Sequence, residues 1–307
     1  MTRAALCFPG QGSQAAGMAA GLFDQPLASS LLAVATSEGL DLTAALRGSD
    51  DELRATQIAQ PALLFVELVL AAALPADLDI VGVAGHSVGE YAAVSVAGAY
   101  TPEDAMRLVI RRGREMAAMT EGTMAAVIGL DADSVEDACA EVRAAGEVAV
   151  IGNLNASGQV VISGSIAGVE RAGAAARERG ARRVIPLNVS GAFHSPLMAP
   201  AAKRFGAVIR ATPRAALRFP VACNVDGAAV DDSAGLPDRL ARQLESPVRW
   251  IDCISSLIGL GADVLVEVGP GAVLSGLARR IDSSVRVAGV SHLDEARSLA
   301  TLWTAQA

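Results

Sequence analysis

Residues 85–89 read Gly-His-Ser-Val-Gly, a G-x-S-x-G pentapeptide between a short β-rich run at 80–84 and a small-residue helical run at 91–99. Strand, sharp turn and helix in that order constrain the fold more than any other feature of the chain. A nucleophile elbow of this kind needs a sheet strand beneath it and a helix start beyond it, so that the serine hydroxyl stands above the sheet. The flanking glycines suit a turn whose strained backbone crowds its neighbours. The surrounding composition agrees: hydrophobic residues make up 52% and aromatics 3% of 307 residues, with Ala, Val, Leu and Gly dominant. Such small apolar side chains suit helices packed closely on a parallel sheet.

Other segments fill in the architecture. Residues 4–8 predict a short buried strand, after which Gly10-Gln11-Gly12 turns into a helical stretch. Residues 57–74 are apolar nearly all round, which predicts a buried helix. Thr101-Pro102-Glu103 starts a further helix with an N-cap, a first-turn proline and an early acid. Between residues 122 and 188 the rhythm changes to strand 124–129, helix 134–145, strands 148–152 and 159–163, helix 166–178 and strand 183–187. That β-α-β-β-α-β order is the ferredoxin-like pattern. The expected fold class is α/β: a large α/β-hydrolase-like domain with a parallel sheet (residues 1–121 and 189–307), carrying an inserted ferredoxin-like subdomain (122–188). Strands at 219–224 and 264–268 complete the large domain.

Composition also excludes functions. A net charge of −8 argues against a nucleic-acid partner. No apolar run approaches the roughly 18 residues of a membrane span, and the N-terminus lacks the pattern of a signal peptide. Cys7, Cys139, Cys223 and Cys253 are scattered without metal-ligand or redox spacing and are expected as buried apolar side chains. No metal site is expected, and the chain reads as a cytoplasmic protein without disulfides.

A serine hydroxyl needs a base, and only three histidines are available. His86 adjoins Ser87, where consecutive side chains diverge, so it is expected to brace the elbow. His292 lies near the C-terminus and suits a cap or a surface position. His194 lies in an irregular segment, Gly-Ala-Phe-His-Ser-Pro at 191–196, where the large domain resumes, and is the expected base. Gly10-Gln11-Gly12-Ser13-Gln14-Ala15 fits G-x-G-x-x-A, yet no second strand ending in an acid follows at the spacing a dinucleotide site needs. Its better use is a glycine-flanked loop whose Gln11 backbone N–H faces an oxyanion.

Taken together, FPGQGSQ at 8–14, QPALL at 60–64, GHSVGEYAA at 85–93, GAFHSPLM at 191–198, SPVRW at 246–250 and EVGPG at 267–271 resemble the malonyl-CoA:acyl carrier protein transacylases, relatives of polyketide synthase acyltransferase domains. The blocks run in the family's order along essentially the whole chain. The resemblance implies Ser87 as the acylated nucleophile, His194 as general base and acid, and the Gln11 and Val88 amides as the oxyanion hole. It further implies Gln243 as the residue orienting His194 through a main-chain carbonyl, and Arg112 as the partner of the malonate carboxylate. Arg107, Arg111, Arg112 and Arg114 form a basic helix face of which one member need point inward; a guanidinium fork matches a carboxylate. Phe193 resembles the malonyl-selective form of its loop, and with His86 it is expected to contact substrate.

The implied reaction is malonyl transfer from malonyl-CoA to the phosphopantetheine thiol of an acyl carrier protein by a ping-pong route, serving fatty-acid or polyketide synthesis. The enzyme itself needs no cofactor, since the partner carries the phosphopantetheine. Nothing in the chain requires more than a monomer. An acidic carrier would dock on a local basic patch, either Lys203 and Arg204 or Arg279 and Arg280. Two competing readings are a hydrolase with the same serine and histidine, and a noncatalytic docking module. The first expects an acid ahead of a late histidine; the second expects one of the four site residues to have been lost.

Overall fold

The computed structural model describes residues 2–304. Strand β1 (Arg3–Phe8) opens the chain and is buried from Ala4 onward. Helices α1 (Pro26–Ser37), α2 (Leu42–Arg47) and α3 (Thr56–Ala72) precede β2 (Asp79–Gly85), and α4 (Gly89–Val96) and α5 (Pro102–Ala117) follow it. The antiparallel unit comprises β3 (Thr123–Ile128), α6 (Ala132–Ala144), β4 (Ala149–Ala156), β5 (Gln159–Gly164), α7 (Ile166–Glu178) and β6 (Arg183–Pro186). The chain then runs through α8 (Ala199–Ala211), β7 (Val221–Ala222), β8 (Ala229–Val230), α9 (Leu236–Arg242), α10 (Trp250–Gly259), β9 (Val264–Val268), α11 (Val273–Ile281), β10 (Arg286–Val290) and α12 (Leu293–Thr304).

The larger sheet has the order β10-β9-β1-β2-β7-β8, parallel except for the β7–β8 pair. The smaller sheet, β4-β5-β3-β6, is antiparallel throughout, with the two central strands nonadjacent in sequence as a ferredoxin-like order demands. Strand β4 is tied to the segment leading into α10 where Leu154 N donates to Val248 O and Val248 N donates to Gly152 O, both at 2.9 Å. This is the SPVRW segment meeting β4.

Local chemistry explains the elements that position the site. Helix α5 starts at Thr101, whose side chain accepts from Asp104 N, with Pro102 in the first turn. Along it, Arg107, Arg111 and Arg114 are exposed at 49%, 49% and 44% of their side chains. Arg112 alone is fully buried. Helix α3 is buried from Ala59 to Leu70 and contains Pro61, immediately after Gln60.

The segment after Gly12 departs from its expected helix. Residues 11–25 form successive turns, and no helix begins before Pro26. Gly12, Gly17 and Gly21 take φ values of 108°, 81° and 75°, which interrupt any right-handed helix. The strand expected over 219–224 is confined to Val221–Ala222. The four cysteines are buried and unbridged. Among the described residues no helix is long and apolar enough to cross a membrane.

Candidate active site

Strands β1 and β2 are adjacent, and the register Phe8↔Gly85 brings their C-terminal ends together. His86 N donates to Phe8 O at 2.9 Å, which ties the Gly10–Gly12 loop to the elbow. Clefts beyond the carboxyl ends of parallel strands are where open α/β sheets place ligands. At the elbow Ser87 has φ of 54°, a left-handed conformation that costs a non-glycine residue on the order of 1–3 kcal/mol. The turn is too tight for side chains beside it. A Cβ on Gly85 would lie 1.9 Å from the Gly89 carbonyl carbon, and one on Gly89 would lie 2.2 Å from Phe8 O. The surrounding structure holds this strain in place: Ser87 N donates to Asn224 Oδ1 and Asn224 Nδ2 donates to Gly85 O, each at 2.8 Å.

The second strained residue is His194, with φ of 61°. Its Nδ1 lies 2.8 Å from Gln243 O and 3.2 Å from Ser246 O. Two carbonyl acceptors on that side require the proton on Nδ1, which leaves the Nε2 lone pair free. Nε2 lies 2.9 Å from Ser87 Oγ, so the serine hydroxyl donates to it. Burial, reinforced by the nearby Arg112 charge, holds the His194 imidazole down at about 3. The ring is therefore neutral, as a proton acceptor must be.

Arg112 completes the constellation. Its Nη2 donates to Ser87 Oγ at 3.0 Å and to Gln243 Oε1 at 2.9 Å, and its Nη1 donates to Gln60 Oε1 at 2.8 Å. The guanidinium carbon sits 5.4 Å from the centre of the Tyr91 ring. Among the described residues no carboxylate pairs directly with it, and its Nε has no hydrogen-bond partner. A buried guanidinium with spare donors beside a nucleophile is built to receive an anion.

These groups open on a cleft of about 230 Å³ whose lining includes Gln11, His86, Ser87, Val88, Arg112, Phe193 and His194. The backbone N–H groups of Gln11 and Val88 make no hydrogen bond among the described residues. Phe193 is 5% exposed. His86 turns away from the serine, with Nε2 2.8 Å from Asn155 Oδ1 and its ring edge-on to Trp250. His292 is exposed, its backbone N donating to Glu295. Gln243, at the end of α9, is fully buried. Every predicted site residue thus either lines the cleft or, like Gln243, stands directly behind it.

Sequence reasoning missed Asn224, Glu90, Gln60 and Asn155, the polar residues behind the reacting groups. Gln60 and Glu90 fall within the QPALL and GHSVGEYAA blocks, and Asn224 ends the run at 219–224; polar residues at the edges of apolar runs were the available signal. Among the described residues no group of three or more His, Cys, Asp or Glu could hold a metal ion.

Comparison with known proteins agrees with this geometry. The model of the acyl transferase domain matches residues 6–302. The malonyl CoA-acyl carrier protein transacylase of Salmonella typhimurium is 41% identical over 305 residues, covering 95% of this chain and 97% of that protein. Its Bacillus subtilis counterpart is 39% identical over 298 residues, covering 95% and 94%. A solved malonyl-transacylase in complex with its type II polyketide synthase acyl-carrier protein superposes with a TM-score of 0.90 at 37% identity, covering 97% of this chain and 100% of that one. With a strained serine, a neutral histidine and these relatives along nearly its full length, the chain belongs to the acyl transferase family and is an acyltransferase.

Proposed function

We propose that the enzyme moves a malonyl group from malonyl-CoA to the phosphopantetheine thiol of an acyl carrier protein through an acyl-enzyme on Ser87. One observation carries the reading: a fully buried Arg112 with spare donors, 3.0 Å from the serine hydroxyl. A free carboxylate on the acyl group matches those donors, and an acetyl group would leave them unfilled.

In the first half-reaction Ser87 Oγ gives its proton to His194 Nε2 as it bonds to the thioester carbonyl carbon. The Gln11 and Val88 amides face the resulting oxyanion, which suits groups that keep free N–H donors at the cleft. The C–S bond then breaks, and the coenzyme A thiolate leaves with the proton from His194. In the second half-reaction the carrier's thiol gives its proton to His194, attacks the ester carbonyl and releases Ser87, which takes the proton back. The Gln243 carbonyl holds the tautomer throughout, the part an aspartate plays in a triad.

Phe193 beside His194 narrows the acyl site against a branched malonyl, and His86 braces the elbow through Asn155. For carrier docking, α11 is favoured over α8. Val273, Leu274 and Leu277 line the cleft, Val273 is 52% exposed, and Arg279 on the same helix is exposed and makes no ion pair among the described residues. Arg204 on α8 is engaged with Glu115. Residues 122–188 are taken as the inserted subdomain, a division supported by the separate antiparallel sheet, and a cytoplasmic setting is supported by the unbridged cysteines.

Thioester exchange tests the proposal. Labelled malonyl should pass from malonyl-CoA to a phosphopantetheinylated carrier faster than it is released as malonate. Rapid release without transfer would instead establish a hydrolase.

A further inference from the structure

Arg112 is a buried cation without a carboxylate in contact, yet a fully buried carboxylate lies one amide away. Glu90, in the first turn of α4, is 0% exposed. Its Oε2 accepts from Gln243 Nε2 at 2.5 Å and from Asn224 N at 3.3 Å. The Gln243 amide spans the gap, since its Oε1 accepts from Arg112 Nη2 at 2.9 Å. Its Nε2 also donates to Ser87 O at 2.9 Å, and its main-chain carbonyl faces His194. One residue therefore joins nucleophile, base, cation and carboxylate. Glu90 Oε1 has no hydrogen-bond partner among the described residues.

We propose that Glu90 is a positioning residue: it supplies the counter-charge of Arg112 through the Gln243 amide, and it takes up a proton from solvent when an acyl carboxylate occupies the guanidinium. The inference rests on the pairing of Arg112 with a malonyl carboxylate described above. Placing the counter-ion behind an amide balances the buried cation while leaving the guanidinium, whose Nε has no partner among the described residues, free of a direct carboxylate contact. A direct ion pair would fill the fork and compete with it. Once the substrate carboxylate arrives, two anions share one cation, and the buried internal one gives way by protonation at the unpartnered Oε1.

The charged and titratable groups facing Glu90 are Arg112 on α5, Tyr91 on α4, Cys223 after β7, Cys253 on α10 and the more exposed Arg239 on α9. Burial pushes Tyr91, Cys223 and Cys253 upward, out of the neutral range. Burial also raises the Glu90 carboxyl to about 7, against the opposing pull of Gln243, Asn224 and Arg112. Neutralising Arg112 removes part of that pull and raises it further. Below the free-state value Glu90 is protonated with or without substrate, so no proton is taken up. Above it, free Glu90 is ionised and occupied Glu90 is not, so uptake occurs and affinity falls as pH rises.

The test uses calorimetric titration of the Ser87→Ala chain with malonyl-CoA and acetyl-CoA, in buffers of different ionisation enthalpy, from about pH 6 to about pH 9. Acetyl-CoA subtracts protons belonging to coenzyme A. The malonyl-to-acetyl affinity ratio should fall above about pH 7, approaching tenfold per pH unit for one proton. Excess proton uptake with malonyl-CoA should accompany the fall. Glu90→Gln, which keeps an acceptor for Gln243, should abolish both while retaining the preference for malonyl-CoA. A preference for malonyl-CoA without proton uptake, or with equal uptake in Ser87→Ala/Glu90→Gln, overturns the role of Glu90. Equal affinity for the two thioesters at every pH overturns the pairing of Arg112 with the acyl carboxylate on which it rests.

Discussion

Arg112 Nη2 lies 3.0 Å from Ser87 Oγ while His194 Nε2 faces the same hydroxyl from 2.9 Å, so one oxygen is held between a cation and a neutral base. In the proposed mechanism the base draws the proton away, and the cation favours the negative charge left behind. The same guanidinium has donors to spare for a carboxylate, which links acyl-group choice to the nucleophile itself. Arg112→Ala should therefore lower kcat/KM for malonyl-CoA by a hundredfold or more, as expected when a buried pair worth about 3–5 kcal/mol loses one partner. Acetyl-CoA should suffer much less, so the ratio of the two rates is the quantity to measure. An unchanged ratio contradicts the assignment.

His194 is held down to about 3 by burial first and by Arg112 second. Its ring nitrogens, followed by 15N NMR, should show no titration across the ordinary histidine range. Removing the cation by Arg112→Gln must raise the value, since one source of repulsion for the imidazolium disappears while burial remains. Titration of wild-type His194 near 6.5 contradicts this electrostatic description.

Phe193 lines the cleft directly before the base. Phe193→Ser should open space beside the malonyl C2 and raise methylmalonyl relative to malonyl transfer. One methyl group is worth about 1–3 kcal/mol in a pocket, so the gain should lie between about tenfold and 200-fold. Equal relative rates in parent and variant remove Phe193 from the selectivity.

Glu67 on α3 is fully buried and neither carboxylate oxygen has a partner among the described residues. Burial pushes its carboxyl well above the ordinary 4.5. The folded chain thus keeps a proton that the unfolded chain releases. The stability this contributes is fully present below 4.5 and is lost as pH rises toward the folded-state value, by up to about 1.4 kcal/mol per unit. Glu67→Gln removes that slope. Its Tm relative to wild type should climb as pH rises above about 5, by about 2 °C for each kcal/mol. A difference that stays constant as pH rises contradicts a neutral buried Glu67.

The elbow was legible because strand, G-x-S-x-G and helix are contiguous, and His194 because so few histidines compete. That one arginine of α5 points inward could be anticipated from the basic face, but choosing Arg112 needed the family resemblance; burial separates it from its three exposed neighbours. The support behind them was harder to read. Glu90 meets Asn224 and Gln243 across separations of 134 and 153 residues, for which periodicity carries no signal. The part of Gln243 that faces His194 is a main-chain carbonyl, which side-chain identity does not encode. The helix expected after Gly12 failed for a local reason, three left-handed glycines within ten residues (12, 17 and 21).

The central claim is a malonyl ester on Ser87. Intact mass spectrometry of the protein mixed with malonyl-CoA, beside a Ser87→Ala control, tests it most directly. A single malonyl adduct on the wild type alone, discharged when a phosphopantetheinylated carrier is added, is the predicted result. An adduct that persists in Ser87→Ala, or transfer to the carrier without any adduct on the wild type under stopped conditions, would contradict it.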